Sequence, residues 1–177
     1  MKKFVTIFLT LFAAVSLSAV SVSVGADLRS FDAFFLSGIR IDTEAGIDIG
    51  SFKIIIPVRY GKCKDYDLSL IETGILVSVH PWDGLGLFAE ASLVKVGFLW
   101  GLYAPDDGVY FAAEGSVGWE FVFSHFYIRP KYTYRSSLSG EDVQEARIKS
   151  IPQFGESRVS VLIGITFGGK NEESNTY

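Results

Sequence analysis

The chain has 177 residues, with 16 Lys and Arg against 20 Asp and Glu for a formal net charge of −4, and 49% of its residues are hydrophobic. This length is enough for one domain with a sizeable core, and without a basic patch the sequence gives no support for nucleic-acid binding. Cys63 is the only cysteine, which excludes an intramolecular disulfide.

The first residues predict a secretory signal peptide. Two lysines precede an apolar run at residues 4–17, and small residues follow it. The run is short for a transmembrane helix, which needs about 20 apolar residues. We expect residues 1–18 to be removed, with cleavage after Ser18 or Ala19, and this leaves 14 Lys and Arg against 20 Asp and Glu, a net charge of −6. The sequence therefore predicts an exported protein.

The residues after the signal peptide predict an all-β domain. Eight segments with alternating apolar and polar residues are separated by turn residues, at 19–31, 38–49, 51–61, 67–80, 85–99, 109–121, 124–135 and 157–168. Most are much longer than an average strand of about 5 to 6 residues. They are long enough for a tilted strand to cross a bilayer, which needs about 9 to 11 residues. We assign residues 19–168 to this domain and residues 169–177 to a polar C-terminal tail.

The connections between these segments alternate in length. Short turns follow the second and fourth segments, and a third lies near Phe121–Ser124. The other four connections are longer, and the longest spans residues 136–156. This alternation is typical of an up-and-down barrel with short turns at one rim and long loops at the other.

The two faces of the segments differ in polarity, because successive side chains of a strand point to opposite faces. One face is apolar in every segment, as Val159, Val161, Ile163, Ile165 and Phe167 illustrate. The opposite face carries eight acidic and seven basic residues: Asp27, Asp42, Glu44, Asp48, Glu72, Glu90, Glu114 and Glu120, with Arg29, Lys53, Arg59, Arg129, Lys131, Arg135 and Arg158. Lys95 breaks the pattern on the apolar face, so it lies either near a rim or after a β-bulge.

The volume of an eight-stranded barrel indicates which face points inward. Its interior is just wide enough for side chains to fill it, and the many large apolar side chains would overfill it. Small residues and oppositely charged pairs fit better, provided that the charges neutralise one another. We therefore predict that the apolar face points outward and that the fifteen charged residues form an ion-pair network in the lumen.

Aromatic residues cluster where the two rims are predicted. Trp82 and Trp119 fall at the short-turn rim, whereas Tyr66, Tyr103 and four others fall near the long-loop rim: Tyr60, Trp100, Tyr110 and Tyr134. Membrane barrels carry aromatic girdles at both interfaces. The sequence thus predicts membrane-interface roles for Trp82, Trp100, Trp119, Tyr60, Tyr110 and Tyr134.

In this pattern, residues 19–168 resemble the small eight-stranded outer-membrane barrels of bacteria, such as the OmpA transmembrane domain, OmpX and OmpW. The resemblance implies an antiparallel up-and-down transmembrane barrel in the bacterial outer membrane. It also implies that the last strand, "VSVLIGITF", is read by the barrel-assembly machinery through its terminal aromatic residue, Phe167. This chain departs from that pattern because a tail follows Phe167. We expect a monomer in contact with the lipid bilayer.

No catalytic or metal-binding constellation is visible in the sequence. Ser124 and His125 are adjacent, so on a strand they would point to opposite faces, and they lie at the short-turn rim rather than near outer-leaflet lipid A. Two histidines and one cysteine offer no metal-ligand spacing. We therefore predict no catalytic residues, no metal and no cofactor.

These observations favour an outer-membrane barrel with a structural or surface-interaction role. Three alternatives remain: a narrow channel or hydrophobic-ligand barrel in the same membrane, a soluble periplasmic lipid-binding barrel with reversed faces, and a lipid A-modifying enzyme.

Overall fold

The structure is a computed structural model that describes residues 20–30, 38–63, 67–82, 85–102, 104, 108–139 and 157–168. Its strands are β1 (Ser21–Asp27), β2 (Gly38–Ile49), β3 (Phe52–Cys63), β4 (Leu68–Val79), β5 (Leu87–Gly101), β6 (Val109–Trp119), β7 (Phe121–Phe123), β8 (Phe126–Ser137) and β9 (Ser157–Phe167). Within these ranges, no helix has the length and apolarity that a membrane span requires. The predicted signal peptide and C-terminal tail lie outside the described residues.

The strands form one closed antiparallel barrel. Neighbours in the sequence pair with one another except β6 and β7, β9 pairs with β1, and β6 pairs with β8 to complete the ring. β6 and β7 are two parts of one strand, since the β6–β8 register continues unchanged into the β7–β8 register. That register places Trp119 opposite Pro130, which has no N–H to donate, so the ladder is interrupted there. The predicted eight-stranded all-β barrel is confirmed.

The strand ends lie within two residues of the predicted bounds except at the end of β1. β1 ends at Asp27 and is followed by a short helical turn, because the Asp27 carboxylate accepts a hydrogen bond from the backbone N–H of Arg29 at 2.9 Å. The turn before β8 lies at Ser124–His125 rather than near Phe121–Ser124. Ser124 has a φ of 56° there, as two-residue hairpin turns require.

The apolar face of the sheet is its outer face, as the volume argument predicts. Ile163, Ile165 and Phe167 are 40%, 38% and 57% exposed, whereas Glu114 and Arg129 are 4% and 0% exposed. The barrel therefore inverts the polarity of a water-soluble barrel.

A β-bulge in β5 explains the position of Lys95. Ile75 of β4 pairs with Val94 and Leu76 pairs with Ser92, so Leu93 is an extra residue. Leu93 and Val94 both lie on the outer face, and the next side chain, Lys95, returns to the interior at 2% exposure. Of the two predicted explanations, the bulge is therefore correct and the rim position is wrong.

Three interior aromatic rings pack against glycines of neighbouring strands. The Tyr110 ring lies against Gly97, and the Phe88 ring lies 2.8 Å from the position that a Cβ would take at Gly118. The Tyr127 ring lies against two glycines, Gly25 of β1 and Gly164 of β9, where any Cβ would collide with it. Tyr127 therefore covers the seam at which the first and last strands meet.

Candidate functional site

The barrel interior contains two groups of ion-paired side chains, one toward each rim. The loop side is the rim of the long connections that follow β1, β3, β5 and β8, and the turn side is the opposite rim. In the described part of the chain, the loop-side cluster consists of Asp27, Arg40, Asp42, Arg59, Glu72, Lys95, Glu114, Arg135 and Arg158, and the turn-side cluster consists of Glu44, Asp48, Lys53, Glu90, Glu120, Arg129 and Lys131.

Glu72 and Glu114 form the centre of the loop-side cluster, and three cations converge on them. Arg59 donates to Glu114 through both terminal nitrogens at 2.7 and 3.0 Å and to Glu72 at 3.1 Å. Arg135 lies 2.9 Å from both carboxylates, and Lys95 lies 2.9 Å from Glu72 and also contacts Glu114. All five side chains are at most 2% exposed. Because charge-assisted hydrogen bonds between arginines and carboxylates are strong and directional, this centre connects five strands (β3, β4, β5, β6 and β8) across the lumen.

Asp42 is shared by three arginines in the same cluster. Its carboxylate accepts from Arg59 at 3.0 Å and from Arg158 at 3.1 Å, and it lies 3.5 Å from Arg40. Arg40 also lies 3.6 Å from Asp27. The loop-side cluster thus has five cations and four carboxylates in the described part of the chain.

Arg129 organises the turn-side cluster. Its guanidinium lies 3.0 Å from Glu44 and 2.6 Å from Glu90, and it stacks 4.0 Å above the centre of the Phe88 ring. Lys131 lies 3.4 Å from Glu44 and 3.0 Å from Glu90. The two cations therefore share the same two carboxylates, and the arginine gains a cation–π contact.

Lys53 and His80 lie at the turn-side end of the lumen. Lys53 lies 3.4 Å from both Asp48 and Glu120, and its ammonium sits 4.9 Å from the centre of the Tyr127 ring. His80 follows β4, and its Nε2 lies 3.9 Å from Glu120. Burial lowers the pKa of His80 below its ordinary value, although the negative charge of Glu120 acts in the opposite direction.

The structure places twelve of the fifteen predicted lumen residues in the buried interior. The other three, Arg29, Asp48 and Glu120, are half-buried. Asp48 and Glu120 pair with Lys53, whereas Arg29 lies at the barrel wall, where its Nη1 donates to the backbone oxygen of Val159 at 2.6 Å.

Two interior cations escape the sequence prediction, Arg40 and Lys95. Arg40 shares the parity of Asp42 in β2, so the alternation itself contains the signal that identifies it. Lys95 has the wrong parity, because the bulge shifts the alternation by one residue. Only a residue-by-residue pairing of β4 with β5 reveals its position.

The predicted position at the membrane interface is wrong for one aromatic residue, Tyr110. Tyr110 lies in the interior at 0% exposure and donates a hydrogen bond to Glu72 at 2.8 Å. Its neighbours Val109 and Phe111 occupy the outer face, so alternation turns Tyr110 inward. The other five lie on the outer surface: Trp82, Trp100, Trp119 and Tyr134 are 46–57% exposed, and the half-buried Tyr60 packs against Trp100 with ring centres 6.3 Å apart.

The interior is not entirely polar. Leu68, Leu70 and Leu99 form a buried apolar cluster with Tyr110 and Ala112 at the loop side. Alternation in β4 gives Leu68 and Leu70 the parity of the interior, whereas Leu99 points inward only because it follows the bulge in β5. The cluster fills the lumen beside the paired charges.

The described residues contain no group of three or more His, Cys, Asp or Glu side chains that could hold a metal ion. Ser124 and His125 form the exposed turn between β7 and β8. The polar part of the interior thus consists of oppositely charged side chains that neutralise one another.

The fold is similar to that of the N-terminal β-barrel domain of OprF from Pseudomonas aeruginosa. The two structures share a TM-score of 0.52 at 13% sequence identity, over 85% of this chain and 98% of that domain. No protein-family model and no curated protein matches the chain. At this low identity the likeness concerns the fold alone, and at that level it confirms the resemblance to small eight-stranded outer-membrane barrels.

Proposed function

We propose that the chain is an outer-membrane barrel protein with a structural or surface-interaction role. The observation that carries this proposal is the division of polarity between the two faces of one closed sheet. Outer side chains such as Ile56 and Val117 are 51% and 55% exposed, whereas sixteen charged side chains in the described part of the chain are ion-paired within the lumen. In water such an outer surface would be costly, whereas in hydrocarbon it is favourable.

Exposed aromatic residues at both ends of the barrel support a membrane position. At the turn side, Trp82, Trp119 and Phe126 are 57%, 51% and 63% exposed, and at the loop side Trp100 and Tyr134 are 46% and 55% exposed. Aromatic rings favour the headgroup region of a bilayer. The apolar outer band between these rings would lie in the hydrocarbon core.

The filled lumen supports a role other than bulk transport or catalysis. Wide pores use about 16 to 18 strands, and here the cross-section is occupied by paired charges, three aromatic rings and the leucine cluster. We also propose that residues 1–18 direct export, that the barrel-assembly machinery engages the β9 end at Phe167, and that the protein works as a monomer.

Extraction and gel migration test this proposal. The membrane fraction should release the protein only with detergent, and the unheated protein should migrate differently from the boiled protein, because folded barrels resist detergent until they are heated. Planar-bilayer recordings of the purified protein should show no sustained conductance. Recovery in buffer without detergent, with no change on boiling, would contradict the membrane assignment, and steady conductance would favour a narrow channel.

A further inference from the structure

The outer face of the described strands carries one ionised side chain, Lys62. It lies at the loop-side end of β3, directly opposite Ile39 of β2 and Ser69 of β4, and Ile39 is exposed on the outer face. The other charged side chains of the described strands belong to the two clusters of the lumen. Lys62 is therefore separate from the charge network of the interior.

Lys62 has no anionic partner in the described part of the chain. Its side chain is half-buried, and it forms no salt bridge with a described carboxylate. The interior lysines differ, since Lys53 and Lys131 each contact two carboxylates. Because a partly desolvated ammonium without a counter-ion is costly, Lys62 favours an anion from outside the chain.

Two aromatic rings pack together beside Lys62. Tyr60 lies two residues before it in β3, and the Tyr60 ring centre is 6.3 Å from that of Trp100 in β5. Ser69 of β4 lies directly opposite both Lys62 and Trp100. Its small side chain lets rings from two non-adjacent strands meet over β4, so Ser69 is only 7% exposed although it shares the outer face. We call Tyr60, Lys62, Ser69 and Trp100 the outer-face patch.

The outer side chains next to the outer-face patch, toward the middle of the barrel, are apolar. Ile71 lies directly opposite both Tyr60 and Phe98, and Ile41 lies opposite Tyr60 on the other side. All three apolar side chains are exposed. A molecule that covers this surface and reaches Lys62 needs an apolar portion beside an anionic group.

The turn-side rim lacks this combination. Phe52, Trp119 and Phe167 are exposed there, but the described outer face at that rim carries no lysine or arginine. Aromatic rings alone favour the membrane interface at either rim. The lysine therefore distinguishes the outer-face patch from an ordinary part of the aromatic girdle.

We propose that the outer-face patch binds the phosphate-bearing headgroup of an anionic lipid. The Lys62 ammonium pairs with the phosphate, and the rings of Tyr60 and Trp100 lie beside the rest of the headgroup. The acyl chains extend along Ile71 and Phe98. This inference rests on the proposed membrane function, because only a barrel in a bilayer presents this face to lipid.

Quenching of tryptophan fluorescence by brominated lipids tests the inference, because Trp100 belongs to the outer-face patch. The chain has three tryptophans. The variant Trp82→Phe/Trp119→Phe therefore reports on the patch, and Trp82→Phe/Trp100→Phe reports on the turn-side rim as the matched control. Each full chain is folded into vesicles of phosphatidylcholine with a minor fraction of phosphatidylglycerol, and one of the two lipids is brominated.

Trp100 should show an association constant for phosphatidylglycerol about fivefold above that for phosphatidylcholine, as expected for one lysine near an anionic lipid. Trp119 should show no preference. Lys62→Gln should bring the ratio at Trp100 close to that at Trp119, whereas Lys62→Arg should preserve it. High salt should lower the ratio in the chain that keeps Lys62, because salt screens the charges, and this measurement does not depend on the folding of a lysine variant.

A preference at Trp100 that survives both Lys62→Gln and high salt would overturn the inference, as would the same preference at both tryptophans. Replacing chloride by phosphate at constant ionic strength should change nothing, and loss of the preference would assign the patch to free phosphate instead. Equal quenching of Trp100 by the two lipids contradicts this inference alone. Absence of quenching by either lipid at both tryptophans overturns the proposed membrane function as well.

Discussion

The two charged clusters of the lumen differ in their numbers of cations and carboxylates and in their aromatic contacts. In the described part of the chain, the loop-side cluster has five cations for four carboxylates, and the turn-side cluster has three cations for four carboxylates. The turn side adds aromatic contacts, with Phe88 under Arg129 and Tyr127 under Lys53. Among the described residues, the charges balance over the two clusters together but not within either cluster, so we expect the cost of losing a carboxylate to depend on the cluster in which it lies.

The largest expected effect is that of Glu114→Gln in the cation-rich half. Arg59, Lys95 and Arg135 would each lose a buried carboxylate partner, and leaving buried charge uncompensated costs about 3 to 5 kcal/mol. Urea unfolding of the protein in lipid vesicles, followed by tryptophan fluorescence, measures this loss. A loss of less than about 1 kcal/mol would show that the cluster contributes little.

The next effect concerns the turn side, where glycines accommodate an aromatic ring. Gly25→Ala places a Cβ against the Tyr127 hydroxyl, and such overpacking costs about 1 to 3 kcal/mol. Adding Tyr127→Phe should recover part of the loss, because it removes the colliding oxygen. The same unfolding experiment compares the single and double variants.

Gly115→Ala is the control for this prediction. Its Cβ would meet only the backbone oxygen of Glu90, at 3.8 Å, so the substitution should be nearly neutral. A comparable loss in both glycine variants would mean that strand glycines matter for their backbone freedom rather than for the ring packed against them.

A smaller effect is expected for Glu90→Gln in the carboxylate-rich half. Arg129 and Lys131 keep Glu44 at 3.0 and 3.4 Å, so both cations retain a partner, and the loss should be about 1 kcal/mol. The comparison with Glu114→Gln under identical conditions is decisive. Equal losses in the two variants would refute the unequal division of charge between the halves.

The smallest effect is a change in acid sensitivity at the turn-side end. Because burial lowers the pKa of His80, the native state binds fewer protons than the unfolded state, and stability falls as the pH drops through the ordinary histidine range near about 6.5. His80→Gln should therefore lose less stability than the native protein between about pH 8 and about pH 5. His125→Gln, in the exposed β7–β8 turn, serves as the control and should follow the native protein.

Alternation along the strands was sufficient to predict the barrel, its outer face and most of the interior charges. Periodicity of two is a local property, so residues such as Glu72 and Arg129 could be assigned to a face without knowledge of their neighbours. The same rule places Tyr110 inside once its neighbours Val109 and Phe111 are assigned outward. Closeness to the rim favours an interface position for Tyr110, but the parity of the strand decides where its side chain lies.

Other features depend on pairing between strands and were not accessible in this way. The bulge at Leu93 becomes visible only when β5 is aligned with β4, and the interruption near Glu120 depends on Pro130 in another strand. The partners within the lumen are equally non-local, since Arg129 and Glu44 are 85 residues apart. Opposite charges on one face predict that pairs exist but not which residues form them.

This long-range pairing has a consequence for the order of assembly. Arg158 of the last strand meets Asp42 of the second, 116 residues earlier in the chain, so that contact forms only once the sheet has curved through a full turn. Until then its ionised side chains need hydration, and the proposed membrane barrel would carry water into the bilayer while its sheet grows. Expulsion of this water and closure of the ring would then form a single cooperative event, so we expect the proposed insertion to be late and all-or-none.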